Sequence, residues 1–313
     1  MKISILDAAT LGSDMHFDMI TALGETEIYQ TTAPEEVVDH IGDSEVVVIN
    51  KIKLNSSNLS KVKNLKLICV AATGYDNVDT QYCKANGIAL CNVVGYSARS
   101  VSQVTVAMAL SLACHLPEYD RFSKSGDYTK SGVQNRLEPV YYELAGKTWG
   151  IIGMGNIGKK VADAAKALGC RVIYTRRTSD KNAATLEQIL KESHIISVHT
   201  PLTPETREMI GKEELDMCEN KPILINVARG AVFDEAAVAE GIKCGKLSGL
   251  GVDVYSMEPY PKNHPYNSIK HLDNVILTPH MAWGAYESRV RCMTEISENI
   301  KSFYSGGSKG RIV

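Results

Sequence analysis

An α/β protein built on two doubly wound parallel sheets is the fold class this sequence predicts. Three observations predict it. Short β-branched runs alternate with helical segments along the whole chain. Several of those runs are apolar throughout, as parallel strands covered on both faces tend to be. A glycine-rich turn, Gly153-Met154-Gly155-Asn156-Ile157-Gly158, sits near the middle of the 313 residues rather than at their start. A chain of that length suggests two domains at ~100–200 residues each.

The elements justify the class in order. Strands are predicted over residues 3–6, 46–49, 67–70 and 89–91, then 149–152, 172–175, 195–198, 223–226, 250–254 and 275–277. Alternation of this kind implies crossover helices and parallel pairing. The most apolar helix candidate covers 98–116, but it carries Arg99, Gln103, Thr105 and His115, which favours a buried helix over a membrane span. A helix is predicted over 156–168, directly after the glycine turn. The last covers 286–304, with Val290, Met293, Ile296 and Ile300 at helical spacing and Gly306-Gly307 beyond its end. The division expected is 1–97 plus 286–313 as one discontinuous domain and 98–285 as the other.

The central turn carries the first chemical signal. It follows the apolar run Thr148-Trp149-Gly150-Ile151-Ile152 and opens a helix. Gly153 allows the tight turn, Gly155 lets backbone approach a pyrophosphate, and Gly158 lets helix and strand pack closely. The helix N-terminus offers unpaired N–H groups and a positive dipole end. The region 98–285 is therefore read as a dinucleotide-binding domain.

Composition narrows the partners. The formal net charge is -2 and the basic residues are scattered, which gives no reason to expect nucleic acid or an anionic membrane. None of the 8 cysteines forms a CxxC pair, so reduced thiols in a cytoplasmic protein are expected, with no metal site. The N-terminal residues 1–7 form too short an apolar run for a signal peptide.

Several ordered motifs carry a resemblance. They are Ala72-Thr73-Gly74-Tyr75-Asp76-Asn77-Val78-Asp79, the glycine turn, His199-Thr200-Pro201-Leu202-Thr203, Asn226-Val227-Ala228-Arg229-Gly230, Asp253 with Glu258-Pro259, and Thr278-Pro279-His280. Over nearly its full length the chain resembles the D-isomer-specific 2-hydroxyacid dehydrogenase family. Tyr96-Ser97, Val101-Ser102-Gln103 and Met281-Ala282-Trp283 look like its glycerate dehydrogenase (hydroxypyruvate/glyoxylate reductase) branch. The resemblance implies two Rossmann-like domains, an active site in the interdomain cleft and a homodimer. Glu258 stands where the family's formate dehydrogenases have glutamine, which argues against that activity.

The chemistry explains the residue types. Reducing a 2-oxo acid requires its carboxylate to be held, its carbonyl polarised and a proton delivered. A guanidinium suits the first two tasks, and the resemblance assigns them to Arg229. Histidine is the natural proton donor near neutral pH. Of 8 histidines, His280 follows a predicted strand and matches the family's catalytic position. Glu258 is the carboxylate expected to orient it. The turn Thr73-Gly74-Tyr75 is a candidate anion nest for the substrate carboxylate, and Lys51 follows a strand toward the same edge. Trp283 is a candidate pocket wall.

The cofactor's ribose end departs from the family's usual pattern. Members that prefer NAD carry an acidic residue at the end of the second strand of the dinucleotide domain. Here that strand ends in Arg176-Arg177-Thr178, and no carboxylate follows until Asp180. Two guanidiniums and a hydroxyl favour the 2′-phosphate of NADP, with NAD as the alternative. The resemblance places Gly155, Asn156 and Ile157 on the pyrophosphate and Thr200, Pro201 and Thr206 on the adenosine side. Thr105, Val227, Ala228, Asp253 and Ala282 fall nearer the nicotinamide, with Asp253 orienting the carboxamide or modulating His280.

The function expected is hydride transfer from NAD(P)H to hydroxypyruvate or glyoxylate, giving D-glycerate or glycolate. The alternatives are a reductase of D-lactate-type or 2-ketogluconate-type acids, and a cofactor-sensing binding protein without turnover.

Overall fold

The computed structural model describes residues 1–177 and 180–313. They divide into two compact units, Met1–Ser97 with Gly284–Val313, and Ala98–Trp283.

In the first unit the strands are β1 (Lys2–Ile5), β2 (Glu25–Ile28), β3 (Val46–Ile49), β4 (Leu67–Val70) and β5 (Ala89–Cys91). They form one parallel sheet in the order β2-β1-β3-β4-β5. The sequence reading missed β2. Its residues, Glu-Thr-Glu-Ile, are largely exposed at the sheet edge and lack the apolar run that marked the others. The C-terminal helix Tyr286–Tyr304 belongs to this unit. Beyond it, Arg311 bridges antiparallel to Cys91.

The second unit holds β6 (Thr148–Ile152), β7 (Arg171–Thr175), β8 (Ile195–Val198), β9 (Ile223–Asn226), β10 (Gly249–Val252) and β11 (Val275–Leu277). These too are parallel, in the order β11-β10-β9-β8-β6-β7. The two-residue period of a strand splits its core in two. Ile151, Ile195, Ile223 and Ile225 face a cluster with Met108, Ala109, Val161 and Ala165 from helices Ala98–Ala113 and Asn156–Ala167. Ile152, Ile196, Val198 and Leu224 face the opposite cluster, with Phe233, Val238 and Tyr266.

Two element ends move by two residues or more. The helix expected over 98–116 ends at Ala113, because His115 adopts a left-handed φ of 52° and turns the chain into the helix Leu116–Lys124. That pair is bent by 64°, and no single helix among the described residues is long and apolar enough to cross a membrane. The strand expected over 250–254 stops at Val252, which leaves Asp253 at its carboxyl end. The cysteines are all unpaired, and five of them, Cys69, Cys83, Cys91, Cys170 and Cys292, are buried. Cys114 and Cys218 are partly buried and Cys244 is exposed.

Candidate active site

Topology locates the cofactor crevice. In open parallel sheets, ligands bind beyond the carboxyl ends of the strands where the strand order reverses. In the second unit that point lies between β6 and β8. The glycine turn leaves β6 there, and His199-Thr200 leaves β8. Gly153 has a left-handed φ of +101°, and a Cβ on it would come within 3.0 Å of the His199–Thr200 backbone. A Cβ on Gly158 would meet the Gly153 carbonyl oxygen at 2.3 Å. At Gly155 nothing among the described residues lies within 4 Å of such an atom. Gly153 and Gly158 are thus required by the protein's own packing, whereas Gly155 keeps open a cradle. Gly155 is also the N-cap of Asn156–Ala167 and makes no side-chain capping bond, so Asn156, Ile157 and Gly158 lead a helix whose N–H donors await an acceptor.

His199 adds an orphaned donor or acceptor beside this crevice. Its Nε2 lies 3.0 Å from Ser197 Oγ, which in turn accepts the Trp149 Nε1–H at 3.0 Å. Its Nδ1 is buried without a partner among the described residues. Burial pushes the His199 imidazole down to about 3, so it is neutral at physiological pH. These features fit a dinucleotide.

The turn after β8 carries further cofactor candidates. Thr206 Oγ1 donates to Pro201 O at 2.7 Å and accepts the Thr203 N–H at 2.7 Å, which closes the turn after Thr200. Thr105 is wholly buried, and its hydroxyl donates to Val101 O at 2.8 Å. Val227 and Ala282 are buried as well.

At the end of β7, Arg176 and Arg177 are exposed. Arg176 Nη1 lies 3.7 Å from Asp180 Oδ2. Asp180 is anchored in turn, accepting from Tyr174 OH at 2.9 Å and from Asn182 N at 3.0 Å. The Asn182 N–H, the Tyr174 hydroxyl and the Arg176 charge hold its carboxyl below the usual range. Thr178 lies outside the described residues.

The candidate reacting groups lie beyond β9, β10 and β11. Asn226, the buried last residue of β9, shapes the first turn: its Oδ1 accepts Ala228 N at 3.0 Å and its Nδ2 donates to Arg229 O at 2.9 Å. Arg229 is half-buried, and its Nη1 donates to Ala228 O at 2.8 Å. Asp253 organises the other two. Its carboxylate accepts from Thr278 Oγ1 at 2.6 Å, Met281 N at 2.8 Å and Ala282 N at 2.9 Å, and its carbonyl accepts His280 N at 2.8 Å. Burial raises the Asp253 carboxyl. These bonds hold His280 at a left-handed φ of 53°, which costs free energy for a non-glycine residue and is common at functional sites.

His280 Nδ1 then meets Glu258 Oε2 at 2.6 Å. The other oxygen of Glu258 accepts Tyr255 N at 3.0 Å, and the Tyr255 hydroxyl donates to Thr278 O at 3.0 Å. The dyad is about a quarter to a third exposed, at 26% for His280 and 32% for Glu258, so His280 is accessible to a small molecule. Sequence reasoning assigned no role to Asn226, Tyr255 or Thr278. A polar residue ending an otherwise apolar strand was the available signal for Asn226.

Trp283 packs, partly buried, against the cluster beneath helix Ala98–Ala113. In the first unit, Lys51 is exposed beyond β3, and its backbone N–H donates to Asp7 Oδ2 at 2.6 Å. Asp7 Oδ1 accepts Asn50 N at 2.9 Å, so a carboxylate spans the point where that sheet's order reverses. Thr73 Oγ1 donates to Val93 O at 2.8 Å, and Thr73 O accepts Asn92 Nδ2 at 2.7 Å. An anion at the Thr73-Gly74-Tyr75 turn would therefore meet backbone N–H groups rather than this hydroxyl.

Comparisons with known proteins identify the family. Residues 106–282 match the model of the D-isomer specific 2-hydroxyacid dehydrogenase, NAD binding domain. The chain is 37% identical over 280 residues to a glycerate dehydrogenase of Methylorubrum extorquens, covering 90% of this chain and 89% of that one. It is 32% identical over 319 residues to a hydroxypyruvate reductase of Blautia hydrogenotrophica, covering 98% of each. The D-lactate dehydrogenase of Aquifex aeolicus, solved with NAD and lactic acid, superposes with a TM-score of 0.85 at 30% identity, over 98% of this chain and 96% of that one. With a nicotinamide-type crevice, a His280–Glu258 dyad and these relatives, the chain belongs to the D-isomer-specific 2-hydroxyacid dehydrogenase family and is an oxidoreductase acting on small 2-oxo acids.

Proposed function

We propose that the enzyme reduces hydroxypyruvate or glyoxylate to D-glycerate or glycolate, with NADPH preferred over NADH. The observation that carries this reading is the 2.6 Å contact of Glu258 with His280 on the same sheet edge as the glycine turn. The nicotinamide, when bound, supplies a hydride to the carbonyl carbon. Arg229 holds the substrate carboxylate and polarises the carbonyl, since its charge is permanent and its donors are forked. His280, with Nδ1 engaged by Glu258, presents Nε2 to the carbonyl oxygen and delivers the proton as the alkoxide forms. Glu258 fixes the ring and balances the imidazolium charge. Asp253 holds the backbone of His280, Met281 and Ala282 in place. On the first unit, Lys51, Thr73, Gly74 and Tyr75 serve as anion contacts, and Trp283 shapes the pocket on the second.

The cofactor preference rests on the exposed Arg176-Arg177 pair. Asp180 is its internal counter-ion, and a 2′-phosphate would compete with that carboxylate for Arg176. The 37% identity to the glycerate dehydrogenase supports the substrate choice. The homodimer expected from the family is supported by exposed apolar side chains on one segment: Tyr128, Val133, Leu137, Val140, Tyr141 and Tyr142.

Initial rates of hydroxypyruvate, glyoxylate, pyruvate and 2-ketogluconate reduction, each with NADPH and NADH, test the reading. Fastest turnover of hydroxypyruvate or glyoxylate with NADPH is expected. Faster pyruvate or 2-ketogluconate reduction would replace the substrate assignment, and NADH preference would overturn the cofactor assignment. No turnover of any oxo acid would leave a cofactor-sensing protein.

A further inference from the structure

A second carboxylate lies behind the dyad and outside the chemistry just described. Glu235 opens helix Glu235–Lys243, yet its side chain is only 7% exposed. A buried carboxylate is costly unless its oxygens are bonded. Helix capping does not require it, because Asp234 already caps that helix, accepting Ala236 N and Ala237 N at 3.0 Å each. The bonds of Glu235 go elsewhere. Its Oε1 accepts Ser256 N at 3.0 Å, and its Oε2 accepts the Ser256 hydroxyl and lies 3.0 Å from His264 Nε2. His264, 3% exposed, accepts Tyr266 N on Nδ1 at 3.3 Å, which leaves the ring proton on Nε2, directed at Glu235.

Ser256 lies in the short segment that carries Glu258. One residue before it, the Tyr255 N–H binds Glu258 Oε1 at 3.0 Å. A second grip acts on the same segment: a Cβ on Gly230 would lie 1.9 Å from the Tyr255 carbonyl carbon and 2.2 Å from Ser256 N. The chain leaving Arg229 therefore touches the Glu258 loop backbone to backbone at Gly230 and clamps it again at Glu235.

We propose that Glu235, with Ser256 and His264, is a positioning clamp that holds Glu258 in place for proton transfer at His280. It rests on the reading of Glu258 and His280 as the acid–base pair. Glu235 touches neither substrate nor cofactor in this account. Its effect runs through the Tyr255–Glu258 loop, and misplacement of a catalytic group by about 1 Å can cost ~100-fold in rate.

The test is kcat, oxo-acid KM and NAD(P)H Kd for Glu235→Gln and Ser256→Ala, each alone and combined with Glu258→Gln. The amide of Glu235→Gln keeps one acceptor for Ser256 N but cannot accept both the Ser256 hydroxyl and His264 Nε2–H. A fall in kcat of about tenfold or more is expected, with NAD(P)H Kd and KM little changed, because the glycine turn and the Arg229 turn are held by other bonds. In the Glu258→Gln background the added loss should vanish, since the clamp has no carboxylate left to position. Ser256→Ala removes one hydroxyl and retains the buried carboxylate, so it carries the test if Glu235→Gln does not fold; its loss should run in the same direction and be smaller. Wild-type kcat in both single variants, or losses that multiply in full with Glu258→Gln, would overturn the clamp. A Glu258→Gln enzyme with wild-type kcat would overturn the acid–base reading itself.

Discussion

His280 Nδ1 and Glu258 Oε2 are 2.6 Å apart, although 22 residues separate them in sequence. The bond uses one ring nitrogen, and the proposed proton transfer uses the other. His280→Ala should lower kcat by about 10²–10⁴-fold while NADPH still binds, as read by nicotinamide fluorescence. Glu258→Gln should lower it by about 100-fold, since the amide cannot balance the imidazolium. Wild-type turnover in His280→Ala would remove the proposed proton donor.

The glycines of the central turn should separate by function. Gly155→Ala meets nothing within 4 Å, so the melting temperature should hold while NAD(P)H Kd rises at least tenfold. Gly158→Ala meets the Gly153 carbonyl oxygen at 2.3 Å and should destabilise the fold by ~1–3 kcal/mol. Equal behaviour of the two variants in thermal melts and cofactor titrations would refute the cradle at Gly155.

Neutral His199 should give the protein an acid-side weakness. Its folded value is about 3, against ~6.5 for an unperturbed histidine. Below about pH 6.5 the unfolded chain takes up a proton that the folded chain refuses until about pH 3. Stability is therefore lost progressively as pH falls through that window, by at most ~1.4 kcal/mol per pH unit from this group. Denaturation from pH 7 to pH 4.5 should show a shallower slope for His199→Gln than for the wild type. Parallel slopes would exclude His199 as the source.

Asp180 sits 3.7 Å from Arg176 and should restrain NADPH use. Asp180→Asn frees the guanidinium and should raise kcat/KM for NADPH relative to NADH several-fold, whereas Arg176→Ala should lower that ratio by about tenfold. Unchanged ratios in both variants would place the 2′-phosphate elsewhere.

The exposed apolar segment predicts self-association. Leu137 is 71% exposed and Tyr142 69%, with Tyr128, Val133, Val140 and Tyr141 exposed on the same segment, and a joined apolar patch of this kind marks an interaction surface. Sedimentation equilibrium should give a dimer for the wild type and a monomer for a Leu137→Asp/Tyr142→Asp variant. A monomeric wild type at micromolar concentration would rule out the homodimer.

What could be read in the chain was what local chemistry controls. Runs such as Val46–Ile49 and Ile223–Asn226 are apolar on both faces, and a strand buried on both faces in an alternating α/β chain is parallel. The glycine turn required φ values and close approaches that only glycine supplies, so its role was written in its spacing. Edge strand β2 was not legible, because a polar, exposed strand has no pattern to distinguish it from a loop. The dyad partners were named from ordered family motifs, not from any spacing that implied contact.

Tertiary structure decided everything that depends on strands meeting side by side. The order β9-β10-β11 brings the Arg229 turn, Asp253 and His280 to one edge. It lets Asp253 bind Thr278, Met281 and Ala282 and folds the Glu258 loop onto Gly230. The clamp at Glu235 belongs to the same class. In sequence it is an ordinary first-turn glutamate, and only burial against Ser256 and His264 gives it a task. Local sequence specifies backbone conformation and which faces are apolar. Which polar groups share a buried space is settled by packing between distant elements, where an unbonded carboxylate costs too much to remain.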